Sequence, residues 1–174
     1  MTRICLIAGV SVLLLFAAAK PAAAQNVIHV TGGGTGTFGR DIDGNGVVDG
    51  SHFGIGVNLL GGGAASGDFM CQMAGNAAIL GLPLMQVQGQ VSTGTMNADG
   101  SVTLGGTATV NLGNGTKFTG VPFQVRIQEG GPSAGKIQLT VIGAFDGVPG
   151  DQVPANGNYD LPQETVATGK IVIH

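Results

Sequence analysis

The residues with the clearest chemical potential are oxygen-bearing side chains at alternate positions of one short segment. Asp41, Asp43 and Asn45 lie two residues apart, and Asp49 follows them. In a tight loop, alternate residues turn toward a common point, where carboxylate, amide and carbonyl oxygens surround a hard cation such as Ca²⁺. The spacing predicts a calcium site formed by these four side chains and the backbone carbonyl of Val47.

The segment 41–52 resembles the calcium loop of EF-hand and dockerin-type domains. Gly46 stands at the sixth position, where such loops turn sharply, and Val48 stands at the eighth. Position twelve, which supplies a bidentate Glu in EF-hands, is His52, and the flanking residues have the pattern of strands rather than helices. The resemblance therefore implies a weak strand–loop–strand site, with a Kd on the order of 10⁻⁴–10⁻³ M.

An alternative explanation of the same segment needs no ion. Asp-Gly-Asn-Gly at 43–46 and Asp-Gly-Ser at 49–51 are typical of tight turns. In such turns the Asp and Asn side chains accept hydrogen bonds from nearby backbone N–H groups. Turn composition explains the residue types but not their alternate spacing, so both interpretations stay open.

Cys71 is the one thiol beyond the first 24 residues, and it is the first candidate for a nucleophile. A catalytic cysteine needs a base such as His to hold it as a thiolate, and His52 is the nearest in sequence. Cys71 alternates with Phe69 and Met73 on one face of a predicted strand, however, and free cysteines are commonly buried. We expect an inert, buried thiol.

Other catalytic and metal patterns are missing from the sequence. His29, His52 and His174 have no ligand spacing of the H-x-x-x-H kind, so we expect no transition-metal site. No G-x-S-x-G or phosphate-loop motif occurs, and the absence of Trp removes the usual stacking surface of a carbohydrate site. We predict no catalytic residues, no enzyme activity and no cofactor other than Ca²⁺.

Apolar residues recur with a period of two along most of the chain, which is typical of half-buried strands. Two hairpins are predicted, one around the turn 97–100 and one around the loop 129–135. Further turns are expected at 32–34 and 61–63, a short helical turn over 74–84, and a connection without strands over 145–162. The pattern predicts a single antiparallel β-barrel or β-sandwich of about eight to ten short strands.

Residues 1–24 have the pattern of a secretory signal peptide: Arg3, an apolar run, and small residues at 22–24. We expect one all-β domain over 25–174, exported to the periplasm or outside the cell, with no membrane span after cleavage. Five basic and ten acidic residues would remain in it. This balance argues against nucleic-acid binding, which requires clustered Lys and Arg.

The segments 32–38, 51–57, 67–71 and 159–174 resemble a set of small, Gly-rich, exported bacterial proteins of unassigned function. The resemblance implies export and an all-β fold only. The function that we predict is a non-enzymatic structural or binding role, with a small ligand or a cell-surface partner of unknown identity. The alternative is a carrier of small apolar ligands with a lipocalin-like cavity, left open by Gly89, Gly106 and Ala108. An extracellular hydrolase is the least favoured class.

Overall fold

The computed structural model describes residues 27–42, 44–73, 81 and 84–174. The predicted signal peptide and Asp43 lie outside the described residues, as does nearly all of the predicted helical turn over 74–84. Within the described ranges, no helix has the length and apolarity needed to cross a membrane.

The described residues form nine strands, and strand content follows the two-residue alternation seen in the sequence. The strands are β1 (Ile28–Phe38), β2 (His52–Gly61), β3 (Ala64–Gln72), β4 (Gln86–Met96), β5 (Val102–Asn111), β6 (Lys117–Gln128), β7 (Lys136–Ile142), β8 (Asn158–Asp160) and β9 (Glu164–Ile173).

All nine strands belong to one antiparallel sheet with the order β6-β5-β4-β3-β2-β1-β9-β7-β8. Strand β7 also pairs with β6, so that hydrogen bonds run in a ring through eight strands. The short β8 pairs with the second half of β7, whose first residues pair with β9. The all-β antiparallel prediction is confirmed, and the closed ring is barrel-like although not evenly arranged about one axis.

The inward side chains of the strands form one hydrophobic core, which is the main source of stability available to a chain with a single thiol among its described residues. In the hairpin of β4 and β5, for example, Val87, Val91, Leu104 and Val110 are buried, whereas the glutamines of β4 remain at least partly accessible. Phe69 and Phe123 stack in this core with their ring centroids 5.7 Å apart.

The predicted turn at 32–34 is wrong, because these glycines lie inside β1. Their role is close approach to β9: a Cβ atom on Gly34 would overlap the backbone carbonyl of Thr168, and Gly34 has φ +151°. A side chain is therefore excluded by the neighbouring strand and by the local backbone. In contrast, the turn predicted at 61–63 is confirmed, and it joins β2 to β3.

The connection predicted over 145–162 is wrong in one part, since it contains β8. Its many Gly and Pro residues indicated a loop, but the segment includes a short strand whose central residue, Tyr159, is fully buried. The Tyr159 hydroxyl donates to the carbonyl of Pro149 at 3.2 Å. The carboxylate of Asp146 accepts from the backbone N–H groups of Ala155 and Gly157, at 2.8 and 3.0 Å. Side-chain hydrogen bonds thus order a segment that has little regular structure.

The close approach of β1 and β9 makes Gly34 intolerant of a side chain. We expect Gly34→Ala to lower the free energy of unfolding by about 2–3 kcal/mol, since the chain must relieve both a clash and an unfavourable φ. Gly56→Ala is the matched control, because Gly56 lies on an exposed part of β2 with nothing within 4 Å of an added Cβ. Its effect should stay within about 1 kcal/mol. Urea unfolding measures both, and equal midpoints would contradict this role for Gly34.

Candidate functional site

The loop between β1 and β2 contains the predicted calcium ligands, and its ends are fixed by the backbone of β1. The N–H of Phe38 donates to the carbonyl of Asp49 at 2.8 Å, and that of Gly36 donates to the carbonyl of Ser51 at 2.8 Å. These bonds continue the β1–β2 pairing beyond Thr35 and His52. The flanks of the loop are strands, as the sequence predicted.

Asp41 organises the exposed part of this loop. Its Oδ1 accepts from the N–H of Gly44 at 2.8 Å, and its Oδ2 accepts from that of Gly46 at 2.7 Å. The side chain of Asn45 accepts from the N–H of Val47 at 2.8 Å. Gly44 and Gly46 have φ of +73° and +88°, which explains why glycine occupies both positions.

The described ligand candidates differ in their environment. Asp49 is buried, whereas Asn45 and Val47 are exposed. Asp43, the second predicted ligand, lies outside the described residues. Among the residues that the structure describes, no three His, Cys, Asp or Glu side chains lie close enough together to hold a metal ion. The calcium site therefore stays a prediction.

A second group of polar residues lies beneath the end of this loop. Glu164, the first residue of β9, has only 4% of its surface exposed, and Ser51 has 3%. The N–H of Ser51 donates to Glu164 Oε2 at 2.9 Å, and the Ser51 hydroxyl lies 2.9 and 2.8 Å from the two carboxylate oxygens. A Cβ atom on Gly36 would overlap Glu164 Oε2. Gly36 thus provides the space that the buried carboxylate occupies.

Cys71 belongs to the same group, and its predicted burial is confirmed. Burial raises the pKa of the thiol to about 12, with a smaller contribution from the charge of Glu164, while a hydrogen bond with Ser51 opposes the rise. The neighbouring His52 is exposed, in register with Gln72 rather than with Cys71. Cys71 is therefore a protonated thiol at neutral pH, without the imidazole partner that a catalytic cysteine requires.

The same burial changes the pKa of the Glu164 carboxyl group. Desolvation raises its pKa to about 7, although the two hydrogen bonds from Ser51 oppose the shift. A buried carboxylate is costly unless it is well solvated by donors, and Ser51 supplies two. At neutral pH the group is consequently divided between its protonated and charged forms.

Sequence reasoning missed the pairing of Ser51 with Glu164 because 113 positions separate the two residues. The signal that could have indicated it is the alternation in β9. Glu164 occupies the same buried face as Val166, so that an inward acidic residue stands where an apolar one is expected. An inward Glu in a strand implies a hydrogen-bonding partner in the core.

No family model, no curated protein and no solved structure matches this chain. The resemblance to small exported bacterial proteins stays a prediction, and the function has to be argued from the geometry.

The buried carboxyl group predicts a pH-dependent stability. Since the pKa of Glu164 rises from 4.5 to about 7 on folding, the folded protein binds more protons between these values. The stabilisation from the protonated group is complete below pH 4.5 and is lost as the pH rises through 7. We expect the free energy of unfolding to fall by up to about 3 kcal/mol from pH 5 to pH 8 through this group.

Chemical unfolding of Glu164→Gln over the same pH range measures this contribution, because the amide has no titration. The variant should have a flatter profile than the natural protein. Glu129→Gln is the matched control for the chemical change, since it makes the same replacement at an exposed glutamate. Parallel profiles for Glu164→Gln and the natural protein would show that the buried carboxyl group does not titrate in this window.

Proposed function

We propose that the chain is an exported, non-enzymatic β-barrel domain with a structural or binding role, and that calcium stabilises its 41–49 loop. The observation that carries the proposal is the filled interior of the strand ring. Its inward side chains pack against one another, and its buried polar side chains Ser51 and Glu164 form hydrogen bonds together. The domain is therefore built as a scaffold, with its ligand-binding capacity at loops and on the outer face.

The chemistry of the buried group supports the non-enzymatic part of the proposal. The Ser51 hydroxyl contacts the Glu164 carboxylate and the protonated Cys71 thiol. Neither contact includes an imidazole. A serine or cysteine nucleophile requires a base that removes its proton and an accessible position facing the substrate. Ser51 and Cys71 are each only 3% exposed, so a substrate has no direct approach to them.

The carrier alternative receives less support from the same interior. The sequence suggested that small inward residues such as Gly89 keep space open for a ligand. A Cβ on Gly89 would overlap the ring of Phe123, so the aromatic side chain fills that space. Likewise, a Cβ on Gly94 would overlap the side chain of Leu59. These glycines allow larger neighbours to pack, which is the usual arrangement in the core of a small barrel.

Two features of the 41–49 loop support the proposal that calcium stabilises it. Gly46 has the positive φ that the sixth position of a calcium loop requires, and Asp41 holds the loop in a compact turn. The backbone N–H groups of Gly44 and Gly46 donate to the two carboxylate oxygens of Asp41, which fixes the orientation of this ligand candidate. A bound Ca²⁺ would be held by Asp41, Asp43, Asn45, Val47 and Asp49, and would offset the repulsion among the three carboxylates.

The outer face of β6, β7 and β8 supports a binding role. It carries a groove of about 350 Å³ that is lined mainly by Gln124, Arg126, Gln138, Thr140 and Asp160. Arg126 also forms an ion pair with Asp99. A groove of amide, hydroxyl and charged groups matches a polar partner, such as a hydrophilic segment of a surface molecule, rather than an apolar ligand.

Calcium should raise the thermal stability of the purified protein. For a Kd on the order of 10⁻⁴–10⁻³ M, 5 mM Ca²⁺ adds about 1–2 kcal/mol. The melting temperature should then be about 3–6 °C higher than in EGTA. Differential scanning calorimetry measures the difference.

Variants show whether calcium acts at this loop. The quantity to compare is the increase in melting temperature that calcium causes in each variant. Asp41→Asn should lose the increment, whereas Asp68→Asn, which changes an exposed carboxylate on β3, should retain it. Equal melting temperatures of the natural protein in EGTA and in calcium would show that 41–52 is a turn stabilised by its own hydrogen bonds alone.

Native mass spectrometry of protein purified from its source distinguishes a structural domain from a carrier of small apolar ligands. The filled interior predicts a mass equal to that of the polypeptide plus metal ions. A retained apolar molecule of a few hundred daltons, removed by organic solvent, would instead favour the carrier.

A further inference from the structure

The pairing of β1 with β9 brings together two histidines from opposite ends of the domain sequence. The N–H of His29 donates to the carbonyl of His174 at 2.7 Å, and the N–H of His174 donates to the carbonyl of His29 at 3.0 Å. Residues that exchange both backbone hydrogen bonds lie directly opposite each other, with their side chains on the same face of the sheet. Both imidazoles are exposed.

The distance between the rings suits a shared metal ion. The two ring centroids are 5.4 Å apart, and the planes are tilted by 33°. Two imidazoles that bind one tetrahedral ion, at metal–nitrogen distances of about 2.0–2.1 Å, have centroids roughly 5 Å apart. The backbone pairing already holds the rings near this separation, so binding requires only adjustment of the side-chain torsions.

A third residue orients one of the ligands. His29 Nδ1 lies 2.7 Å from Oδ1 of Asn58, which stands opposite it on β2. Because this amide oxygen can only accept, His29 Nδ1 carries the proton and Nε2 presents its lone pair. Metal-binding histidines characteristically donate their second ring nitrogen to such an acceptor, which fixes the tautomer and raises the basicity of the ligating nitrogen.

We propose that His29 and His174 form a surface site for a divalent transition-metal ion, positioned by Asn58. Imidazole nitrogen favours Cu²⁺, Ni²⁺ and Zn²⁺ over Ca²⁺, and Cu²⁺ is bound most tightly in the general order for these ions. Water completes the coordination. The site lies at the start of β1, whereas the 41–49 loop follows the end of that strand, so the two metal sites are separate in place and in ligand chemistry.

Isothermal titration calorimetry of the purified protein with Cu²⁺ or Zn²⁺ alone, at pH 7.5 in a buffer that does not chelate, tests the site. His29→Ala and His174→Ala should each weaken binding at least tenfold. Asn58→Ala should weaken it about 10–100-fold, as expected for loss of a residue that orients a ligand. His52→Ala is the matched control: His52 is also exposed but lies at the other end of β2, in register with Thr35, and its loss should leave binding unchanged.

Two further measurements distinguish this site from adventitious binding. Electron paramagnetic resonance of bound Cu²⁺ should show coupling to two imidazole nitrogens in the natural protein and to one in His29→Ala. Affinity should also fall as the pH is lowered, because protons compete with the metal ion for the imidazole nitrogens. The proposal is overturned if the double variant of His29 and His174 binds as tightly as the natural protein, or if His52→Ala weakens binding as much as His29→Ala. Equal melting temperatures of the variants in EDTA would show that they fold normally.

Discussion

The pairing of β1 with β9 is the constraint on which the rest of the structure depends, because it joins the first strand to the last and the ring through eight strands cannot close without it. The two strands approach closely at glycines on both sides. A Cβ on Gly34 would overlap the carbonyl of Thr168, and one on Gly169 would overlap the carbonyl of Gly33. The high glycine content is therefore used within strands as well as in turns. Here it permits backbone contact that larger residues would prevent.

The same pairing determines where the polar groups lie. The register between β1 and β9 shifts between Thr35 and Gly36. Beyond this shift the pairing continues as far as Phe38, which lies opposite Glu164. Because side chains alternate in a strand, a slip of one residue would place Glu164 outside and its neighbours inside. In the observed register, Glu164 lies over Gly36 and receives both donors of Ser51. The buried carboxyl group thus depends on a correct ring closure, and its hydrogen bonds favour this register over its neighbours.

How much the sequence could reveal depended on the distance between interacting residues. The hairpin of β4 and β5 was predictable, since alternating apolar residues flank the turn 97–100 and local contacts suffice to define it. Glycines at 32–34 were misassigned, because a turn and a close strand neighbour both favour glycine and only the fold distinguishes them. Likewise, no local pattern identifies Ser51 as the partner of Glu164 or His29 as the partner of His174. Each pair is brought together by the pairing of the first strand with the last.

The loop after β1 has two parts with different physical roles. This difference determines how a bound calcium ion would affect the domain. The carbonyls of Asp49 and Ser51 accept hydrogen bonds from β1, so this end of the loop is an extension of the sheet. The part organised by Asp41 is exposed and is held by hydrogen bonds within the loop. A cation bound there would order the exposed turn, and its effect on the whole domain would pass through the buried Asp49. The ion therefore adds to a fold that the β1–β9 pairing already specifies, since ring closure does not involve this turn and the turn contributes to the core through the partly buried Ile42.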